Sequence, residues 1–180
     1  MVEVANILKL INPGLEMKTS FLYMISDYIN NNEFLDHRQY FKDDFIFENY
    51  INYLEERKNL PISSKDPVQQ YEWWLVDDED NIVGTSRLRS VLETEVEINE
   101  EGNIGYDIAP SYRKKGYGQL ILRLTLENAK NFGFEKIFIT CSENNLASKK
   151  IIEKNAGVFH SKFYSKEDQE NLLRYWIHII

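Results

Sequence analysis

The chain is short of several residue types, and each shortage excludes something. It has one cysteine, Cys141, in 180 residues. No internal disulfide framework is possible, and the expected setting is a reducing cytoplasm. The three histidines, His37, His160 and His178, are scattered rather than set at ligand spacing, so no metal is expected. Long apolar runs are absent. The opening MVEVANILKLINPG carries an acidic residue at Glu3 and reads as neither a signal peptide nor a membrane span. Positive charge is scarce: 21 Lys and Arg stand against 29 Asp and Glu, a net charge of −8. An acidic chain repels nucleic acid and anionic membrane, so neither is expected as a partner. Acidity suits a cationic or amine substrate, and it also serves plain solubility.

What is present is enough for one well-buried domain spanning 1–180. The hydrophobic share is 43% and the aromatic share 13%, with 11 Tyr and 10 Phe to fill a core or line a cleft. No repeat or low-complexity segment interrupts the chain. Residues 1–70 are expected to hold an N-terminal strand and two helices. Residues 71–180 are expected to hold a hairpin and the remaining core.

Periodicity gives the order β-α-α-β-β-β-α-β-α-β-β. Strands are expected at 4–11, 71–76, 82–91, 104–109, 136–141, 157–164 and 172–179. Helices are expected at 15–30, from 38 or 43 to 58, from 119 to about 132, and at 146–155. Residues 62–67 read as a loop, and the acidic stretch 92–101 as an exposed excursion. Gly133 sits where a helix C-terminal glycine belongs, and Asn144 or Asn145 where an N-cap belongs. Trp73 and Trp74 are adjacent on a strand and so point to opposite faces, either both into core or partner packing or one into the core and the other lining a cleft for the acceptor. The fold class is α/β (α+β-like), with a mostly antiparallel sheet. The apolar C-terminal strand offers a route to a homodimer by edge pairing.

The densest chemical signal is Arg113-Lys114-Lys115-Gly116-Tyr117-Gly118, set between a strand and a helix. A helix N-terminus with free N–H groups, small residues for close approach and added cations suits a phosphate. A lone G-x-G also opens helices for purely structural reasons. No G-K-[ST] follows, so the segment is not a P-loop. The third glycine and a ribose-reading acidic residue are missing, so it is not a dinucleotide fingerprint.

The arrangement resembles the GNAT family of acetyl-CoA-dependent N-acetyltransferases, whose signature Q/R-x-x-G-x-G/A is met by Arg113 to Gly118. The approach strand IGYDIAPSYR, with Pro110 and Tyr112, is similar too. So is ENNLASKKIIEKNAGV, which places Asn145 and Ser148 on the family's N-x-x-[AS] helix. The resemblance implies a sheet of about seven strands, mixed but mostly antiparallel, splayed between strands 4 and 5, with helices on both faces. It implies acetyl-CoA as co-substrate. The pyrophosphate would lie on the turn of Arg113, Lys114, Lys115, Gly116, Tyr117 and Gly118, with Gln119 opening the helix. The pantetheine arm would run along Ile108 and Ala109, with Asn145 and Ser148 touching the cofactor. Cys141, near the far end of the gap, reads as a buried small side chain rather than a nucleophile.

The sequence departs from the family where proton transfer is done. The usual glutamate base is Asn103 here, and the usual tyrosine acid is Ile152. Asp107, Glu101 and Glu97 are candidate bases, Tyr164 is a candidate acid, and water is the remaining route. The leading expectation is therefore direct acetyl transfer to a primary amine of a small molecule or protein. The vacant positions motivate a rival, a non-catalytic acyl-CoA-binding sensor. A nucleotide-binding enzyme using the same turn is a second rival.

Overall fold

The computed structural model describes residues 7–33, 44–61, 68–90, 102–166 and 168–179. Its elements are β1 (Lys9–Ile11), α1 (Lys18–Asn30), α2 (Phe47–Lys58), β2 (Gln70–Val76), β3 (Ile82–Arg89) and β4 (Ile104–Ile108). They continue with α3 (Tyr117–Asn131), β5 (Lys136–Ser142), α4 (Leu146–Lys154), β6 (Val158–Ser165) and β7 (Glu170–His178). Short 3-10 turns, Leu15–Met17 and Pro110–Tyr112, precede α1 and follow β4. The order is the one periodicity predicts. β1 begins at Lys9 and α2 at Phe47. The earlier starts expected at 4, 38 or 43, the loop 62–67 and the excursion 92–101 lie outside the described residues.

Local chemistry explains the boundaries. α1 buries Phe21, Met24, Ile25 and Tyr28, one stripe at helical spacing. α3 ends in a paired cap: Gly133, at φ +83, donates to the Lys130 carbonyl at 2.9 Å, and Phe134 donates to Ala129 at 3.1 Å. The β2–β3 hairpin turns on Asp77, whose Oδ1 accepts from the N–H groups of Glu79 (3.1 Å) and Asn81 (2.8 Å).

The strands form two sheets, ordered β1-β2-β3-β4 and β5-β7-β6, and every ladder among the described residues is antiparallel. The break falls between β4 and β5, where the splay was expected. One isolated bridge, Gly102 to Ile139, joins the sheets there. Asn103 stitches the same point. Its N–H donates to the Phe138 carbonyl (2.7 Å), and its Oδ1 accepts from the Phe138 N–H (2.9 Å). Its Nδ2 reaches the Arg89 carbonyl on β3 (3.3 Å).

The two tryptophans do take opposite faces, and both are buried. Trp74 stacks on Phe21 at 5.0 Å, within the aromatic core that α1 and α2 lay on the first sheet. Trp73 joins Leu88, Leu122 and Ile152 in the core under α3 and α4. The edge-pairing expectation for the C-terminal strand needs correction. β7 lies between β5 and β6, with both edges in ladders, so it has none to offer a partner. The outer edge of this sheet is β6, with Val158 and Phe159 exposed.

Candidate functional site: the gap between β4 and β5

Hydrogen-bond parity along β4 decides which backbone groups face the gap. At one end the Asn103 carbonyl accepts from the Arg89 N–H (2.8 Å), and at the other Ala109 donates to the Val83 carbonyl (3.0 Å). In an antiparallel ladder such residues alternate, so Gly105, Asp107 and Ala109 point their N–H and C=O at β3, whereas Asn103 turns only its carbonyl there and gives its N–H to Phe138 on β5. Ile104, Tyr106 and Ile108 point theirs away, toward β5, which forms no ladder with them. Ala109, which the resemblance puts along the pantetheine arm, has its backbone groups bonded within the protein. Its N–H is used by Val83, its carbonyl accepts from Tyr112 (2.9 Å), and the residue is fully buried.

The glycine turn opens at the wide end of this gap. Gly116 is the α3 N-cap at φ +86, a left-handed conformation that a side chain rarely adopts, and nothing would lie within 4 Å of a Cβ there. The first-turn N–H groups of Tyr117 and Gly118 are among those a helix leaves unbonded. Lys114 takes φ +62, and Lys115 lies over the Tyr112 ring at 5.2 Å. Both lysines are exposed, as is Gln119. Gly118 has another duty: a Cβ there would sit 2.6 Å from Ile151 Cδ1, so it lets α3 approach α4.

Arg113 is tied to two other parts of the fold. Its guanidinium grips Glu33, just past the end of α1, through Nη1–Oε1 (2.6 Å) and Nη2–Oε2 (2.7 Å). Its Nε donates to the Ile108 carbonyl (2.9 Å). The Glu33 carboxylate holds the guanidinium above its ordinary pKa. Asp27 adds a second tie, accepting from the Ser111 N–H (2.9 Å) and hydroxyl (2.6 Å). The sequence reading missed Glu33 and Asp27, which are remote in sequence and belong to no motif.

Across the gap, Asn145 caps α4: its Oδ1 accepts from the Ser148 N–H at 3.0 Å. The Tyr106 hydroxyl lies beside Ser148 and Cys141, yet it is sealed from solvent with no hydrogen-bond partner. Its approach to Ser148 falls short of hydrogen-bond geometry. Burial pushes the Tyr106 pKa up to about 12 and that of the Cys141 thiol to about 11. Cys141 is free and buried, as expected of an inert side chain.

The candidate proton-transfer residues are dispersed. Asp107 opens onto the α1/α2 side of the sheet, in register with Thr85, and its Oδ2 lies 3.8 Å from Arg87 Nη2. Gly105 makes room for that arginine, since a Cβ there would stand 2.6 Å from Nη2. Ile152 is fully buried in the core. Tyr164 is 55% exposed on β6, with β7 between it and β5, so the fold does not bring it to the gap. Glu97 and Glu101 lie outside the described residues. No group of three His, Cys, Asp or Glu positioned for a metal occurs among the described residues. No helix among them is long and apolar enough to cross a membrane.

Two half-open sheets, a glycine turn at the mouth of the gap and a capped helix across it define an acyltransferase-type fold. The model of the acetyltransferase (GNAT) domain matches residues 29–157. The chain belongs to the GNAT acetyltransferase family, which supports acetyl transfer as its general chemistry. Its fold is similar to that of RimL, a ribosomal L7/L12 alpha-N-protein acetyltransferase solved with coenzyme A. That match has TM-score 0.72 and 13% identity and covers 99% of this chain and 97% of the other. It is also similar to the microcin C7 self-immunity acetyltransferase MccE, solved with acetyl-CoA and AMP, at TM-score 0.67 and 13% identity over 96% and 92%. A dodecameric spermidine N-acetyltransferase from Vibrio cholerae matches at TM-score 0.61 and 14% identity over 96% and 93%. No curated protein matches the sequence.

Proposed function

We propose that the protein is an N-acetyltransferase that moves the acetyl group of acetyl-CoA directly to a primary amine of a small molecule or protein. The observation that carries this reading is the outward-facing edge of β4, Ile104, Tyr106 and Ile108, leading from the splay to the glycine turn. In this reading residues 1–70 build the acceptor side and 71–180 the cofactor side of one cytoplasmic domain.

Acetyl-CoA supplies an activated thioester. N–H groups from Lys114 to Gly118, with the exposed Lys114 and Lys115 side chains, hold its pyrophosphate. The pantetheine amides pair with the Tyr106 and Ile108 backbone, so Tyr106 takes the place first given to Ala109. Arg113 acts as a strut: by binding Ile108 and Glu33 it fixes the turn against β4. Asn145 and Ser148 face the arm from α4. The amine arrives from the α1/α2 side. Asp107 there, or water, accepts its proton, and positioning carries most of the rate.

Thermal unfolding of the purified chain with acetyl-CoA, ATP and NAD tests the cofactor. Ligand at 100 times Kd adds about 2.7 kcal/mol to stability. Stabilisation by ATP or NAD but not by acetyl-CoA would overturn the reading. Thiol release with polyamines, amino acids and peptides then separates an enzyme from a sensor. Binding without turnover on any amine would favour the sensor, which the vacant Asn103 and Ile152 positions motivate.

A further inference from the structure

The Tyr106 hydroxyl has no task in the scheme above, and its state is unusual. Its oxygen is buried and unpartnered among the described residues, whereas buried tyrosine hydroxyls normally find an acceptor. Three elements converge on it: β4 supplies the ring, while Cys141 on β5 and Ser148 in the first turn of α4 stand beside it. These are the elements that border the gap. The gap is wide at the glycine turn and closes at the Gly102–Ile139 bridge. An arm held by its pyrophosphate at the wide end sends its sulfur inward, toward this hydroxyl.

We infer that the Tyr106 hydroxyl donates a hydrogen bond to the sulfur of the bound thioester and stabilises it as the carbon–sulfur bond breaks. The inference rests on the acetyl-CoA reading. As the C–N bond forms and the C–S bond breaks, the electron pair goes to sulfur. The amine proton leaves to a carboxylate or water, and the thiolate later takes a proton from water. Tyr106 keeps its own proton throughout, and burial makes that proton hard to remove. The neighbouring Cys141 also stays neutral, so it brings no charge to repel the thiolate. A donor whose bond to sulfur strengthens as charge appears there favours the transition state over the ground state.

The test is Tyr106→Phe, titrated calorimetrically with coenzyme A and with desulfo-coenzyme A, in which hydrogen replaces the thiol. Coenzyme A affinity should fall about three- to tenfold and desulfo-coenzyme A affinity should not change. The acetyl-transfer kcat should fall roughly ten- to a hundredfold. Because the variant removes an unpartnered buried hydroxyl, its Tm should match or exceed that of the unaltered protein. Equal losses for both ligands, loss for neither, or a clear drop in Tm would overturn the inference alone. Failure of the unaltered protein to bind acetyl-CoA would overturn the cofactor reading, and this inference with it.

Discussion

Glu33 and Arg113 hold each other through two parallel contacts, 2.6 and 2.7 Å long, that tie the end of α1 to the glycine turn. The same arginine reaches the last carbonyl of β4, so one side chain joins the segment after α1, the end of β4 and the glycine turn. A planar guanidinium can do this, and a lysine ammonium cannot.

The pair is partly exposed, so its loss should cost about 1 kcal/mol of stability or less. Its loss should matter more for binding. Arg113→Lys and Glu33→Gln are each expected to raise the KM for acetyl-CoA several-fold and to lower Tm by no more than about 4 °C. Steady-state kinetics and thermal melts of both variants check this. An unchanged KM would mean that the turn holds its shape without the strut.

The two glycines of the motif should respond differently. Gly116→Ala strains a left-handed backbone in open space, costing about 1 kcal/mol and roughly 2–4 °C in Tm. Gly118→Ala meets only the far end of the Ile151 side chain, which can turn aside, so its melting temperature should fall less. Ranking the two variants by Tm tests the assignment.

Restoring the carboxylate that the family often carries at position 103 should not restore a base. Asn103→Asp replaces an amide that donates to the Arg89 carbonyl with a group that can only repel it. The expected result is a stability loss of about 1–3 kcal/mol with no gain in kcat. Denaturant unfolding and thiol-release rates would show it. A gain in rate would return the base to this position.

Alkali should loosen the fold before it attacks the chemistry. Burial raises the Cys141 pKa from 9.0 to about 11 and that of Tyr106 from 10.0 to about 12. The folded state therefore binds more protons than the unfolded state across these windows, and stability falls as pH rises through them. Melting temperature should decline from about pH 9 upward. The Cys141 thiol should react with a disulfide reagent only on unfolding. Rapid native-state labelling at pH 8 would contradict the burial argument.

Much of this was legible in the chain. Helical and strand periods gave all eleven elements in order, because each buries one face and the sequence must record which residues those are. Arg113 to Gly118 and Asn145 announced themselves, because turns and caps need particular residues at fixed local spacing. The roles of Glu33, Asp27 and Tyr106 were not legible. The partners of Glu33 and Asp27 lie across the fold, 80 residues away for Glu33 and Arg113, the burial of the Tyr106 hydroxyl is set by packing, and no local pattern encodes either. β7 was misjudged for the same reason: apolar alternation marks a strand, but strand order decides whether it is central or at an edge.

The sequence alone determined that a glycine turn opens a helix after a short strand, and that the usual base and acid positions are filled by Asn103 and Ile152. The tertiary structure decided what those features do. It paired Arg113 with Glu33 and the Ile108 carbonyl, and made Asn103 the stitch between two sheets. It also left the Tyr106 hydroxyl unpaired beside the gap. The physical reason is that local backbone preferences act within a few residues, whereas hydrogen-bond partners and burial are settled only when distant segments pack.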